Sequence, residues 1–256
     1  MSTAETCLSF LDRYTKDFSL LPGWFWPESA AIWDCLLTFQ KEAGIQGNFL
    51  EIGVFCGKSA SLSTLHARDV ETCLFVDLKI PKEVRSTINQ IKSENVIYSE
   101  MPSSEIARSG ILITNARSFR WIHVDGEHSG PGVMTDLDIA SELLSENGVI
   151  VIDDFFSAAY PQISAAVFQW LQTKPLRFQL FLVGYNKAYM CRMSAARFYT
   201  RFIKDRLHSE MSQRISRPLT VWKSTHPSDM NCFGIWERVE EYDYRGPDWD
   251  INTIQI

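Results

Sequence analysis

Residues 48–61, NFLEIGVFCGKSAS, decide how this chain reads. Phe49 and Leu50 form a short apolar run that ends on Glu51. Gly53 and Gly57 bracket a tight loop, and Lys58-Ser59-Ala60-Ser61 opens a helical pattern. A strand, a glycine turn and a helix start, in that order, make the first unit of a nucleotide-binding α/β sheet. Glycine suits such a turn because it takes positive φ without strain and lets backbone N–H groups approach a ligand.

Spacing excludes the two best-known phosphate loops. A P-loop places four residues between its first glycine and Gly-Lys-Ser, but only Val54, Phe55 and Cys56 separate Gly53 from Gly57. A dinucleotide fingerprint needs its middle glycine two positions after the first. Phe55 stands there, and its side chain would block a pyrophosphate. What remains, Glu-x-Gly-x-x-x-Gly over residues 51–57, resembles motif I of the class I S-adenosylmethionine (SAM) methyltransferases.

Outward from that loop, strand and helix patterns alternate. Upstream, residues 1–20 read as a helix with Leu8, Leu11 and Phe18 on one side, and Glu28–Ala43 as a second, punctuated by Pro27 and Gly44. Between them lies LPGWFWP, residues 21–27, either a hydrophobic plug or, through Trp24, a lid over a cofactor. Downstream, Lys58–Arg68 is the first crossover helix, and Thr72–Asp77 is a strand that ends on an acid able to accept ribose hydroxyls. Pro81–Lys92 is helical, Val96–Tyr98 a short strand, and Ser99–Ser104 a polar loop.

Phe119–Asp125 is the fourth strand. Val133–Leu144 follows as a helix closed by Asn147-Gly148, and Gly148–Asp154 is the fifth strand, apolar enough to be buried on both faces. Pro161–Leu171 is helical. Arg177–Val183 and Ala188–Met193, on either side of Gly184-Tyr185-Asn186-Lys187, make a hairpin. Ala195–Arg214 is a basic helix, its charges read as a solvated face. Residues 216–256 are aromatic and show no clear period.

Besides Asp77, three strand ends carry acids: Glu51, Asp125, and the pair Asp153-Asp154. The carboxyl ends of neighbouring strands in an open parallel sheet meet at one crevice. Asp125, Asp153 and Asp154 are therefore expected within a few ångströms of one another, and carboxylates so gathered repel unless a cation sits among them. A hard divalent ion with oxygen ligands, most simply Mg²⁺, fits; the alternative is that one of the pair caps a helix and Asp125 binds His128 or backbone. His128 stands at a helix start, where a neutral imidazole is favoured and can act as a general base. His123 is a second candidate on the same side of its strand.

The string IHVDGEHSGPGVMTDLDIASELLSENGVIVIDDF, residues 122–155, resembles the metal-dependent O-methyltransferases that modify macrolide sugars and related natural products. Their pattern is Asp-Gly-x-His, an acid in the next helix (here Asp136 or Asp138), Gly-Gly, and a strand ending Asp-Asp. Asn147-Gly148 departs from the Gly-Gly. The resemblance covers residues 45–195. It implies an α/β, Rossmann-like sheet, mostly parallel and seven-stranded with one antiparallel strand and helices on both faces. It implies a SAM-binding core at 45–195 between a helical and aromatic lid segment at 1–44 and a helical and aromatic extension at 196–256. It implies that Glu51, Gly53, Val54, Gly57, Ser59, Asp77, Ser103, Asp125 and Trp24 hold SAM. Asp125, Asp153 and Asp154 would bind the metal, with His128 and Asp125 catalytic. The acceptor would be a hydroxyl-bearing small molecule, chosen by the terminal segments, which could also contact a second copy. A metal-free methyltransferase, or a SAM-binding scaffold that acts through its aromatic C-terminal region, remains an alternative on the same fold.

Composition narrows the setting. The chain has 256 residues, 45% of them hydrophobic, and a net charge of −6, which argues against a general nucleic-acid binder. Its six cysteines form no C-x-x-C pair, as expected of buried thiols in a reducing compartment. The polar start Met1–Thr6 does not read as a signal peptide, and no apolar run nears the ~20 residues of a membrane span. The expected location is the cytoplasm.

Overall fold

The computed structural model describes residues 9–174, 176–223 and 232–238. Leu8 of the helix expected over 1–20, and residues 224–231 and 239–256 of the aromatic C-terminal stretch, lie outside them. The chain opens with α1 (Phe10–Asp17) and α2 (Pro27–Glu42). A capping box between Ser9 and Asp12 starts α1, which shortens the helix expected over 1–20. Alternating units follow: β1 (Asn48–Ile52), α3 (Lys58–His66), β2 (Cys73–Asp77), α4 (Lys82–Ile91) and β3 (Val96–Glu100). A 3₁₀ turn over Ser103–Arg108 and the short α5 (Ile111–Asn115) occupy the stretch left undefined by pattern. Then come β4 (Phe119–Val124), α6 (Gly130–Leu143), β5 (Leu144–Ile152) and α7 (Gln162–Thr173). The hairpin β6 (Phe178–Gly184) and β7 (Lys187–Arg192) is followed by α8 (Met193–Phe202), a π segment (Ile203–Leu207) and α9 (His208–Arg214). The strands β8 (Leu219–Lys223) and β9 (Phe233–Glu237) come last.

The nine strands among the described residues join one sheet in the order β3-β2-β1-β4-β5-β7-β6-β9-β8. The first five pair in parallel, and β7 inserts antiparallel between β5 and β6. These seven are the expected sheet. Beyond them, β9 adds in parallel to β6 and β8 in antiparallel to β9, so the seven-strand expectation falls short by two. Each added strand has only five residues, too short a run for period-2 alternation to stand out in an aromatic segment.

Alternation along β1 shows why the sheet needs helices on both faces. Phe49 points into one core with α2, α3 and α8, and Leu50 and Ile52 into the other with α6 and α7. Two sequence boundaries move. Asn147 and Gly148 lie inside β5 rather than closing α6, and Ser99 and Glu100 pair with β2 as part of β3. The position 195/196 falls within α8, whose Tyr199 and Phe202 are buried in the same core as Phe39 and Phe181.

Candidate active site

The C-terminal ends of β1, β2, β4 and β5 open onto a cavity of about 1320 Å³. Its floor begins at the glycine loop. Gly53 has φ +85°, and a Cβ built on it would lie 1.7 Å from the Asp125 carbonyl oxygen. The loop and the end of β4 are thus packed backbone on backbone. Gly57 has φ +77° and abuts Val84 of α4, where a Cβ would come within 2.9 Å; it joins the helices and does not line the cavity.

Asp77 locks the loop from the side. Its Oδ2 accepts from the Val54 and Phe55 amides at 2.7 and 3.0 Å. Gly53, Val54, Ser59, Asp77, Ser103 and Asp125 line the cavity. Glu51 is 1% exposed and sits below the floor, where its Oε1 accepts from the Ser59 hydroxyl and stands 3.3 Å from His123 Nδ1. It is placed to shape the floor and not to touch what lies above it.

The aromatic turn before α2 is divided between the core and the cavity mouth. Phe25 is buried edge-on against Tyr14 and Trp33, a plug. Trp24 is 87% exposed, stacks on Phe55 with centroids 6.1 Å apart, and stands at the cavity mouth.

The acids converge. Adjacent registration of Val124 with Ile152 puts Asp125 and Asp153 one residue beyond on neighbouring strands. Asp125, His128 and Asp154 each offer a ligand atom, all within 4.8 Å of one another, and so do His123, Asp125 and Asp153. His128 Nε2 lies 3.0 Å from Asp154 Oδ2 and 3.5 Å from Asp125 Oδ1, and its ring packs against Tyr160. Donation from its ring N–H to the Asp125 carboxylate, with the charges of Asp125 and Asp154, raises the His128 pKa despite partial burial. This pull opposes the effect expected of a helix start. His128 precedes the Ser129 cap of α6, and the two carboxylates outweigh the dipole.

Burial, then the charge of Asp153, pushes the Asp125 carboxyl up. Asp153 is held low: burial would raise it, but Lys187 and His123 overcome that. Buried His123 would lose its proton by desolvation, yet Asp153 and Glu51 pull its pKa up to about 9. Its contacts of 3.3 and 3.5 Å are charge contacts more than well-formed hydrogen bonds.

Two functional neighbours escaped the sequence reading. Lys187, only 2% exposed, pairs through Nζ with Asp153 Oδ2. Asn186 Nδ2 donates to Asp154 Oδ1 at 2.7 Å. Both belong to the β6–β7 turn, read only as a hairpin signal. In the structure Asn186, like Tyr185, takes positive φ, as a tight hairpin turn requires. Of the two helix acids, Asp136 is fully buried beneath Gly126, whereas Asp138 bonds Trp170 and Lys174 at the surface.

Comparison with known proteins agrees with this geometry. Residues 50–155 match the family described as a methyltransferase domain. No curated protein matches in sequence. Among solved structures, the O-methyltransferase NovP superposes with a TM-score of 0.52 at 17% identity, over 65% of this chain and 78% of NovP. The apo TDP-rhamnose 3'-O-methyltransferase CalS11, from calicheamicin biosynthesis, gives 0.50 at 13% identity, over 72% of this chain and 92% of CalS11. MycE methyltransferase from the mycinamycin pathway, solved with Mg and SAH, gives 0.52 at 15% identity over 72% of this chain, but the match spans only 53% of MycE. At such identities the likeness is one of fold. No helix among the described residues is long and apolar enough to cross a membrane. Sheet order, glycine loop and family match agree: residues 50–155 match a methyltransferase domain, on a fold like that of the natural-product O-methyltransferases NovP and CalS11.

Proposed function

We propose that the chain moves the methyl group of SAM to a hydroxyl oxygen of a small molecule, at the acidic end of the cavity and with the help of a divalent cation. The observation that carries this reading is the meeting of Asp125, His128 and Asp154 within 4.8 Å, in the same cavity as the glycine loop. MycE, a neighbour in fold, was solved with Mg and SAH, which supports the same pairing of cofactor and ion here.

The Gly53–Val54 backbone, Asp77, Ser103 and Trp24 are the residues proposed to hold SAM. Glu51, Gly57 and Ser59 keep the loop in shape beneath it. The donor set suits a hard cation: Asp125 and Asp154 present carboxylate oxygens that are partly exposed, with side-chain accessibilities of 31% and 21%. A divalent ion there would supply positive charge that stabilises an ionising hydroxyl and offsets the carboxylates' hold on the His128 proton. In the transfer, the acceptor O–H proton passes to the His128 imidazole, the sulfur–methyl bond breaks to leave neutral S-adenosylhomocysteine, and an oxygen–methyl bond forms. Positioning supplies much of the rate. The aromatic wall of Trp26, Tyr185 and Trp236 brings the N- and C-terminal segments together beside the cavity and would select the acceptor.

The test is calorimetry with SAM, followed by turnover on a panel of hydroxyl compounds with Mg²⁺ and with chelator. SAM binding with turnover that chelator and Asp125→Ala both abolish is expected. Turnover that chelator leaves unchanged removes the ion from the reading. SAM binding without turnover on any hydroxyl compound removes the O-methyl transfer.

A further inference from the structure

Both oxygens of Asp153 already have partners, and one of those partners is a permanent cation. Its Oδ1 accepts the Asp154 amide at 2.8 Å, and its Oδ2 is taken by the Lys187 ammonium, with His123 Nε2 at 3.5 Å. The lysine cannot swing aside cheaply. It is 2% exposed, and its Nζ lies 5.2 Å from the Phe25 ring and 5.9 Å from the Trp33 ring, so aromatic faces close around the charge. Moving it would strand a buried ammonium and a nearly buried carboxylate at once. Asp154 is arranged differently. Asn186 takes its Oδ1, which leaves Oδ2 aimed at the His128–Asp125 side of the cavity. Among the described residues, no backbone amide donates to the Asp125 carboxylate.

We propose that Lys187 is the permanent cation of Asp153, so that Asp125 and Asp154 alone supply the protein ligands of the divalent ion, and that Asn186 and Lys187 are positioning residues that hold the acid pair apart. The Asp-Asp pair is thereby split by role: its first member anchors the strand end to the β6–β7 turn, and its second faces the ion. A small divalent cation fits this arrangement, because it is ordinarily held by one or two carboxylates, with water and substrate oxygens filling the remaining positions. The inference rests on the cation reading above and narrows it.

The experiment uses Mn²⁺ alone as the probe, with binding followed by calorimetry and by the loss of the free-ion EPR signal. Asp125→Asn and Asp154→Asn are expected to weaken Mn²⁺ binding at least about tenfold, as removal of ligand-shell groups does. Asp153→Asn should change it by no more than about threefold, well inside that margin. A tenfold loss in folded Asp153→Asn, equal to the loss in Asp125→Asn, overturns the proposal. No Mn²⁺ binding by the wild-type chain overturns the cation reading instead. The pairing is tested separately, without metal, by thermal unfolding. Lys187→Met should lower Tm more than the double variant Asp153→Asn/Lys187→Met does, since the double leaves no stranded charge. Additive Tm changes would sink the Lys187–Asp153 pairing even if Lys187→Met folds poorly.

Discussion

Gly53→Ala tests the packing on which the site is built, and Gly44→Ala is its internal control. Both glycines have positive φ, +85° and +71°, so each alanine incurs the strain of a left-handed backbone, about 1–2 kcal/mol. They differ in what surrounds them. Nothing lies within 4 Å of a Cβ on Gly44, whereas a Cβ on Gly53 would sit 1.7 Å from the Asp125 carbonyl oxygen and 2.5 Å from its carbon. Ordinary contact begins near 3.4 Å, so the loop and the β4 end must separate by more than an ångström. Overpacking of this kind adds about 1–3 kcal/mol. Gly44→Ala should therefore lose about 1–2 kcal/mol, and Gly53→Ala about 2–5 kcal/mol, or roughly 10 °C in Tm for a chain of this size. Urea and thermal unfolding give the stabilities, and calorimetry gives SAM affinity. Because the displaced atoms carry Asp125 and the Val54 amide, Gly53→Ala should also weaken SAM binding, while Gly44→Ala leaves it unchanged. If the two variants lose the same stability, the close approach of β1 and β4 is not what the glycine is for, and the reasoning fails.

Two further outcomes follow from the site. Burial, opposed by the Ser103 hydroxyl and aided by the charge of Glu127, raises the Asp136 pKa from 3.8 to about 6. A group whose folded pKa is raised favours the fold below its unfolded value and loses that advantage as pH rises through the folded one. Asp136→Asn should therefore gain about 1–3 kcal/mol at pH 8, the equivalent of up to two pKa units, and the gain should vanish near pH 4; thermal unfolding at both values that shows an equal gain refutes the account. Trp24→Ala should leave Tm within about 1 °C, since a scattered exposed side chain adds little stability, yet weaken SAM binding about tenfold, or ~1.4 kcal/mol. Unchanged affinity by calorimetry would reduce Trp24 to surface.

The order of the first seven strands needed no coordinates. Gly53 and Gly57 mark the first turn because few other residues tolerate the backbone there. The apolar runs mark β1, β2, β4 and β5 because strands covered on both faces must be apolar almost throughout. From these runs it also follows that Asp125 and Asp153, 28 residues apart, end on neighbouring strands, since parallel strands in such a sheet finish at one edge. Which acid does what was not legible, because charge state depends on neighbours that sequence distance hides. Lys187 reads only as part of a hairpin turn, and it is Phe25 and Trp33, brought from the turn before α2 and from α2 itself, that close over its pairing with Asp153. Glu51 reads as a cofactor contact, and only its pairing with Ser59 and His123 puts it under the floor. Local pattern fixes which segments become strands because burial imposes a period on the chain itself. The partners of each buried charge were decided only when helices and turns from distant parts of the chain closed over the sheet.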